Sequence, residues 1–188
     1  MTDVAAPRTL QSTIDALLPR VHAHLDAYVV HARDAMPVAA PDYSRLWDHL
    51  GAQFVGGKNL RPALTIAGYL GLGGDDPDAV IPVAAAMEML HTAMLVHDDI
   101  LDRDEVRRGR PNIAGLRRAE LEGLGLPAAT VDTQVQAAAL LGGDLALSSA
   151  YDLIVRSTLP AHHRIACLDL VTRAIRSTIA GEPARRLR

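Results

Sequence analysis

The amino-acid sequence predicts an all-α fold, an antiparallel helix bundle, and three observations predict it. Hydrophobic residues make up 49% of the chain but aromatics only 3%. The core must therefore be aliphatic, and Ala and Leu, its main components, are strong helix formers. Apolar residues recur at helical spacing in blocks separated by proline and glycine. No stretch of useful length alternates apolar and polar residues as a half-buried strand does, and there is no internal repeat. At 188 residues the chain is long enough for one domain with a substantial core, and residues 1–188 are expected to form a single one.

Residues 1–9 read as a frayed start. Leu10, Ile14, Leu17, Leu18, Val21, Leu25, Tyr28 and Val29 then mark one face of a helix reaching about Met36, and Pro19 is expected to kink or divide it. Pro37 to Pro41 is a break. Asp42 is placed to cap a short helix carrying Tyr43, Leu46, Trp47 and Leu50, with His49 expected at the surface or an interface.

The stretch FVGGKNLRPAL (54–64) follows. Gly56 and Gly57 permit close backbone approach and positive φ. Pro62 suits the first turn of a helix over Ala63 to Leu72, so Lys58 and Arg61 flank a helix N-terminus, a natural anion site. The spacing is not that of a Walker A loop. GGDDPD (73–78) is a turn, and its aspartates lack the Gly and Glu of a calcium-binding EF-hand loop.

A long, central helix is expected to begin between Asp78 and Pro82 and to run to about Asp102. A polar loop, Arg103 to Asn112, leads to a short helix over Ala114 to Leu124, closed by Gly123 and Gly125. Asp132 is placed to cap a strong helix to about Leu159. Gly142, Gly143 and Ser149 allow close packing there, and Asp144 needs a partner. Pro160 separates a last helix, about Ala161 to Ala180, with His162 and His163 solvated near its start.

Composition excludes several classes of function. The net charge of −3 argues against general nucleic-acid binding, which needs a basic face. The one cysteine, Cys167, excludes an intramolecular disulfide framework and is expected to be a buried small hydrophobe. No targeting segment is visible, and no stretch approaches the roughly 20 apolar residues of a membrane span. The most apolar run, Val80 to Val96, is interrupted by Pro82, Glu88 and His91. A cytoplasmic location is the expectation.

The chemistry concentrates in Met87 to Asn112, MEMLHTAMLVHDDILDRDEVRRGRPN. At about 100° per residue, His91, Leu95, Asp98 and Asp102 share one helix face. Asp98 and Asp102 stand one turn apart, roughly 6 Å along the axis, and two carboxylates that close repel unless a cation intervenes. A hard divalent cation such as Mg²⁺ fits, because it takes oxygen ligands and commonly retains water and substrate phosphates. The negative end of the helix dipole lies there too. Arg107, Arg108 and Arg110 follow, donors suited to phosphate oxygens. Acid for metal beside base for phosphate implies a metal-bridged diphosphate substrate.

GGKNLRP (56–62), EMLHTA (88–93), DDILD (98–102) and RRGRPN (107–112) occur in an order and spacing that resembles the polyprenyl synthetases, the trans-isoprenyl diphosphate synthase family. The resemblance covers about residues 10–182. It implies an all-α bundle around a central cavity and a Mg²⁺-dependent prenyltransferase that condenses isopentenyl diphosphate with an allylic diphosphate. Lys58, Arg61 and His91 would hold the isopentenyl diphosphate. Asp98 and Asp102 would bind Mg²⁺ on the allylic diphosphate, supported by Asp99. Arg107 would contact the allylic diphosphate and Arg108 the isopentenyl one. Asp98, Asp102 and Arg107 are the expected catalytic residues. Met94 and Ala93, four and five residues before Asp98, would leave the chain pocket open, as in a geranylgeranyl or polyprenyl diphosphate synthase.

The family's second aspartate-rich motif is not in this chain, which reads as the N-terminal part of such a domain. TIAGE (178–182) resembles a family segment that usually has Asp where Arg185 stands, and 183–188 reads as a divergent tail. Impaired catalysis is the expectation. So is assembly, either as the family's homodimer or as a catalytically inactive partner of a full-length synthase. An HD-type metal phosphohydrolase built on His91, His97–Asp98 and Asp144 is a further, distant alternative.

Overall fold

The computed structural model describes residues 9–35 and 41–186, with side chains to Glu182, and it is almost entirely helical. The readings for residues 1–8, for the break over 36–40 and for the tail's side chains lie outside the described residues.

Helix α1 (Leu10–Asp34) starts where Thr9 Oγ1 accepts a hydrogen bond from the Ser12 amide at 3.1 Å. It buries Ile14, Leu17, Val21, Leu25 and Val29. Pro19 does not divide it. Both Pro19 and Asp15, whose carbonyl loses its helical donor, lie on the exposed face, so water can satisfy that oxygen. Helix α2 (Pro41–Ala52) begins at its proline, which suits a first helical position, so Asp42 sits in the first turn instead of capping it. Trp47 packs edge-on against Tyr28 and Tyr43, with ring centroids 6.3 Å apart in each pair. His49 is buried, contrary to expectation, because its Nε2 reaches Glu120 Oε1 at 2.9 Å.

Helix α3 (Leu60–Gly71) starts earlier than Pro62 suggested, from Asn59 in a left-handed conformation. Helix α4 (Pro77–Asp102) is capped by Asp76, whose Oδ1 accepts from the Asp78 amide at 2.9 Å. It packs against α1, α3 and α6 together. This is why Val80 to Val96 is apolar nearly all round instead of along one stripe.

Beyond Asp102 the expected loop contains a small antiparallel hairpin, β1 (Val106–Arg107) with β2 (Arg110–Pro111), pairing Arg107 with Arg110. Two residues per strand are too few for an alternation to show in sequence. Helix α5 (Ile113–Leu121) is capped by Asn112. Helix α6 (Ala128–Val155) starts after Pro127, so Asp132 lies inside it and pairs with Arg118 at 2.9 Å instead of capping. Gly142 and Gly143 bring α6 against Ile113 and His97. Helix α7 (Ala161–Arg186) runs past the expected end and buries a single large hydrophobe, Val171, among its described side chains. His162 and His163 are exposed as expected, whereas Cys167 is only half-buried.

By length and composition α4 and α6 would each pass for a membrane span, which the sequence reading did not expect. They pack on one another, and most of the apolar window of α4 is buried in the core. A helix enclosed on all sides in a protein interior needs the same composition as one enclosed in lipid.

Candidate functional site

The site is assembled at the C-terminal end of α4 from three segments. The first turn of α3 brings Arg61, α4 brings Glu88, His91, Asp98 and Asp99, and the hairpin brings Arg107 and Arg108.

The hairpin is fixed by its own sequence. Arg108 and Gly109 both have positive φ, 54° and 74°, the pattern of the primed turns that suit two-residue hairpins. Asn112 is fully buried and ties the loop off. Its Nδ2 donates to the Asp104 carbonyl at 2.7 Å, and its Oδ1 accepts from the Gly115 amide at 3.0 Å. Arg118 Nε then grips both oxygens of Glu105 at 2.8 Å. Arg103, left-handed at φ 60°, ends α4 and turns the chain toward the hairpin.

Arg107 points back at α4. Its Nε donates to Asp99 Oδ1 at 2.7 Å, and its Nη2 lies 2.5 Å from the same oxygen and 3.4 Å from Asp98 Oδ2. Asp99 is only 4% exposed, so this is a charge-assisted pair in low dielectric. The hydrogen bond to Asp99 pushes the Arg107 guanidinium above its ordinary range. Asp98 is half-buried and faces a cavity of about 570 Å³ lined also by Arg61, Thr65, His91, Met94 and Leu95 and, from α7, Ala174 and Thr178. Leu95 also borders a smaller recess with Asp99, Arg107 and Arg108.

His91 is half-buried among cations. Desolvation first, then the charges of Arg61, Arg108 and Arg107, lower it to about 4. It is therefore a neutral imidazole near pH 7, able to donate one hydrogen bond and to accept another.

Of the residues singled out in sequence, the fold brings together Arg61, His91, Asp98, Arg107 and Arg108. Lys58 and Asp102 are exposed and line neither cavity. Met94 lines the larger cavity, whereas Ala93 is turned into the core and is fully buried. Glu88 went unread as a functional residue. A carboxylate in the most apolar run of the chain was its one signal. Asp144 finds its partner in His97, with Nε2 3.4 Å from Oδ1. The HD-type alternative required these two to join a metal cluster, and no group of three or more His, Cys, Asp or Glu side chains converges among the described residues.

Magnesium does not need such a cluster, since it is held by one or two protein carboxylates together with substrate phosphates. Asp98 and Asp102 supply two hard oxygen donors one turn apart at the dipole-negative end of α4, which fits that mode.

Known proteins resemble this chain in both sequence and fold. The chain is 38% identical over 103 residues to a short chain isoprenyl diphosphate synthase of Methanocaldococcus jannaschii, covering 55% of this chain and 26% of that one. It is 27% identical over 176 residues to a geranylgeranyl diphosphate synthase of Methanosarcina mazei, covering 92% and 46%. Its fold matches a geranylgeranyl pyrophosphate synthase of Corynebacterium glutamicum, solved with isoprenyl diphosphate and magnesium, at a TM-score of 0.70 and 26% identity, covering 79% and 43%. The chain thus spans less than half the length of each. The family model described as polyprenyl synthetase matches residues 45–184, the stretch that contains every residue of the site, and the chain belongs to the polyprenyl synthetase family.

Proposed function

We propose that this chain carries the diphosphate-binding half-site of a Mg²⁺-dependent trans-prenyltransferase that joins isopentenyl diphosphate to an allylic diphosphate. The observation that carries the reading is the gathering of cations and a carboxylate in two recesses that share Leu95, with Arg61, neutral His91 and Asp98 lining one and Arg107 and Arg108 lining the other. That pattern suits a polyanion bridged to a cation and suits little else.

Arg61, His91 and Arg108 bind the isopentenyl diphosphate, with Lys58 at the loop as a further cation. Neutral His91 contributes a hydrogen bond without adding a proton that could be lost to the substrate. Arg107, anchored on Asp99, turns its remaining donors to the allylic diphosphate. When bound at Asp98 and Asp102, Mg²⁺ neutralises negative charge on the departing diphosphate. The allylic carbon–oxygen bond breaks, the diphosphate leaves with the electron pair, and the isopentenyl double bond attacks the allyl cation. A proton passes from the isopentenyl unit to the departed diphosphate and restores the double bond. The arginines stabilise the leaving group, and Met94, Leu90 and Leu95 keep water from the cation.

Met94 as the cavity's side chain at that depth, in place of an aromatic ring, supports a product longer than farnesyl. Assembly with a second copy or with a full-length synthase is part of the same proposal.

The test is prenyl transfer by the 188-residue chain given Mg²⁺, labelled isopentenyl diphosphate and geranyl or farnesyl diphosphate, alone and with a full-length synthase. Product that requires Mg²⁺ and is lost in Asp98→Ala is expected in at least one arm. Absence of product in both arms, together with no Mg²⁺-dependent binding of the allylic diphosphate, would overturn the proposal.

A further inference from the structure

Glu88 is a carboxylate in the middle of the most buried helix, 9% exposed, three residues before His91 on the same face. Burial alone raises its carboxyl above the ordinary range, and the charges of Arg61, His22 and Arg108 pull it back. Those three come from α3, α1 and the hairpin tip. The point of convergence is Gly57: a β-carbon there would lie 3.5 Å from Glu88 Oε1, 3.6 Å from Arg108 Nη1 and 3.8 Å from Asn59 Oδ1. Asn59 Oδ1 is in turn 2.8 Å from His22 Nε2. The glycine-rich loop, the hairpin tip and α1 thus meet over one buried carboxylate.

Two guanidiniums and no bound anion would repel one another and swing apart into water. A carboxylate beneath them removes that tendency. It is itself buried, while both arginines are exposed, so the cations stand between it and an incoming diphosphate.

We propose that Glu88 is a positioning residue, the buried anion that draws in Arg108 beside Gly57 and Arg61 from the wall it shares with His91, and holds both around His91 before the diphosphate arrives. Its role in substrate binding rests on the function proposed above; its role in ordering the arginines does not. The site then binds its ligand without first ordering two long side chains.

The test uses the full chain and needs no turnover. Phenylglyoxal modification of each arginine is followed by peptide mass mapping in wild type, Glu88→Gln and Glu88→Asp, beside thermal melts and titrations with inorganic pyrophosphate. In Glu88→Gln, Arg61 and Arg108 are expected to react about fivefold faster, the factor set by losing one modest charge attraction. Arg110, across the turn, keeps its rate, and Glu88→Asp lies in between. The melting temperature is unchanged or higher, because a desolvated charge has been removed, while pyrophosphate affinity falls by a similar factor. A general structural role would instead lower the melting temperature and speed all three arginines alike, which overturns the proposal, as do unchanged rates at Arg61 and Arg108. If those two rates rise but wild type itself binds no pyrophosphate, the diphosphate reading fails and the ordering role of Glu88 stands.

Discussion

Arg108 holds a left-handed backbone at φ 54° where most hairpins place Asn or Gly. A side chain with a β-carbon is disfavoured there by about 1 kcal/mol or somewhat more. Such strain persists where function requires the residue. Arg108→Asn should therefore stabilise the chain by up to about 1 kcal/mol while weakening pyrophosphate binding, a trade visible by pairing a melt with a titration. His91 makes a second prediction. Its folded value near 4 lies below the unfolded 6.5, so between them the unfolded chain binds more protons. Its contribution is full above about 6.5 and is lost progressively as pH falls toward 4. Glu88, shifted upward from 4.5 by burial, acts in the opposite sense over a range that begins within the same window. Denaturant midpoints measured across this range should fall less steeply on the acid side in His91→Gln than in wild type. An identical acid limb would refute the assignment.

Between elements, the hairpin is held to α5 by a contact that admits no side chain. A β-carbon on Gly115 would sit 2.2 Å from the Glu105 carbonyl oxygen. Backbone cannot yield as a side chain can, so Gly115→Ala should cost about 1–3 kcal/mol and displace Arg107 from Asp99. Gly57→Ala is the informative contrast. The sequence suggested a conformational need for both loop glycines, yet only Gly56 has positive φ, and the contacts around Gly57 are at ordinary van der Waals distance. Gly57→Ala should change stability by less than about 0.5 kcal/mol. Urea unfolding of the two variants side by side checks both statements.

Across the whole molecule, burial is distributed unevenly. The main core gathers around α4, with Ala84, Ala85, Ala86, Met89 and Ala93 wholly enclosed. A smaller cluster under α5 joins Ala114 and Leu121 to Val135 and Ala139. Helix α7 contributes little to either and leaves Ile165, Leu170 and Ile179 more than half exposed. Local stability follows local burial, so amide exchange should be slowest in α4 and fastest, among the long helices, in α7. Equal protection of α4 and α7 in the isolated chain would show that α7 is covered by a second molecule.

The helical class, the central helix ending at Asp102 and the adjacency of a carboxylate cluster and an arginine-rich loop were all legible in sequence, because periodicity, proline punctuation and charge are local properties. Helix starts were read less well at Asp42 and Asp132. Each is a residue type that favours caps, but at each helix a proline nearby set the start first. Which candidates meet was decided only by the tertiary structure. His91 became neutral because burial desolvates it and arginines from α3 and the hairpin add their charge, Asp99 became the anchor of Arg107, and Glu88 became a buried carboxylate close to Gly57. Lys58 and Asp102, equally plausible in sequence, stand apart from the cavity walls. Sequence determined which chemical groups this chain carries and on which elements; packing determined their distances and dielectric surroundings, and charge interactions depend on both.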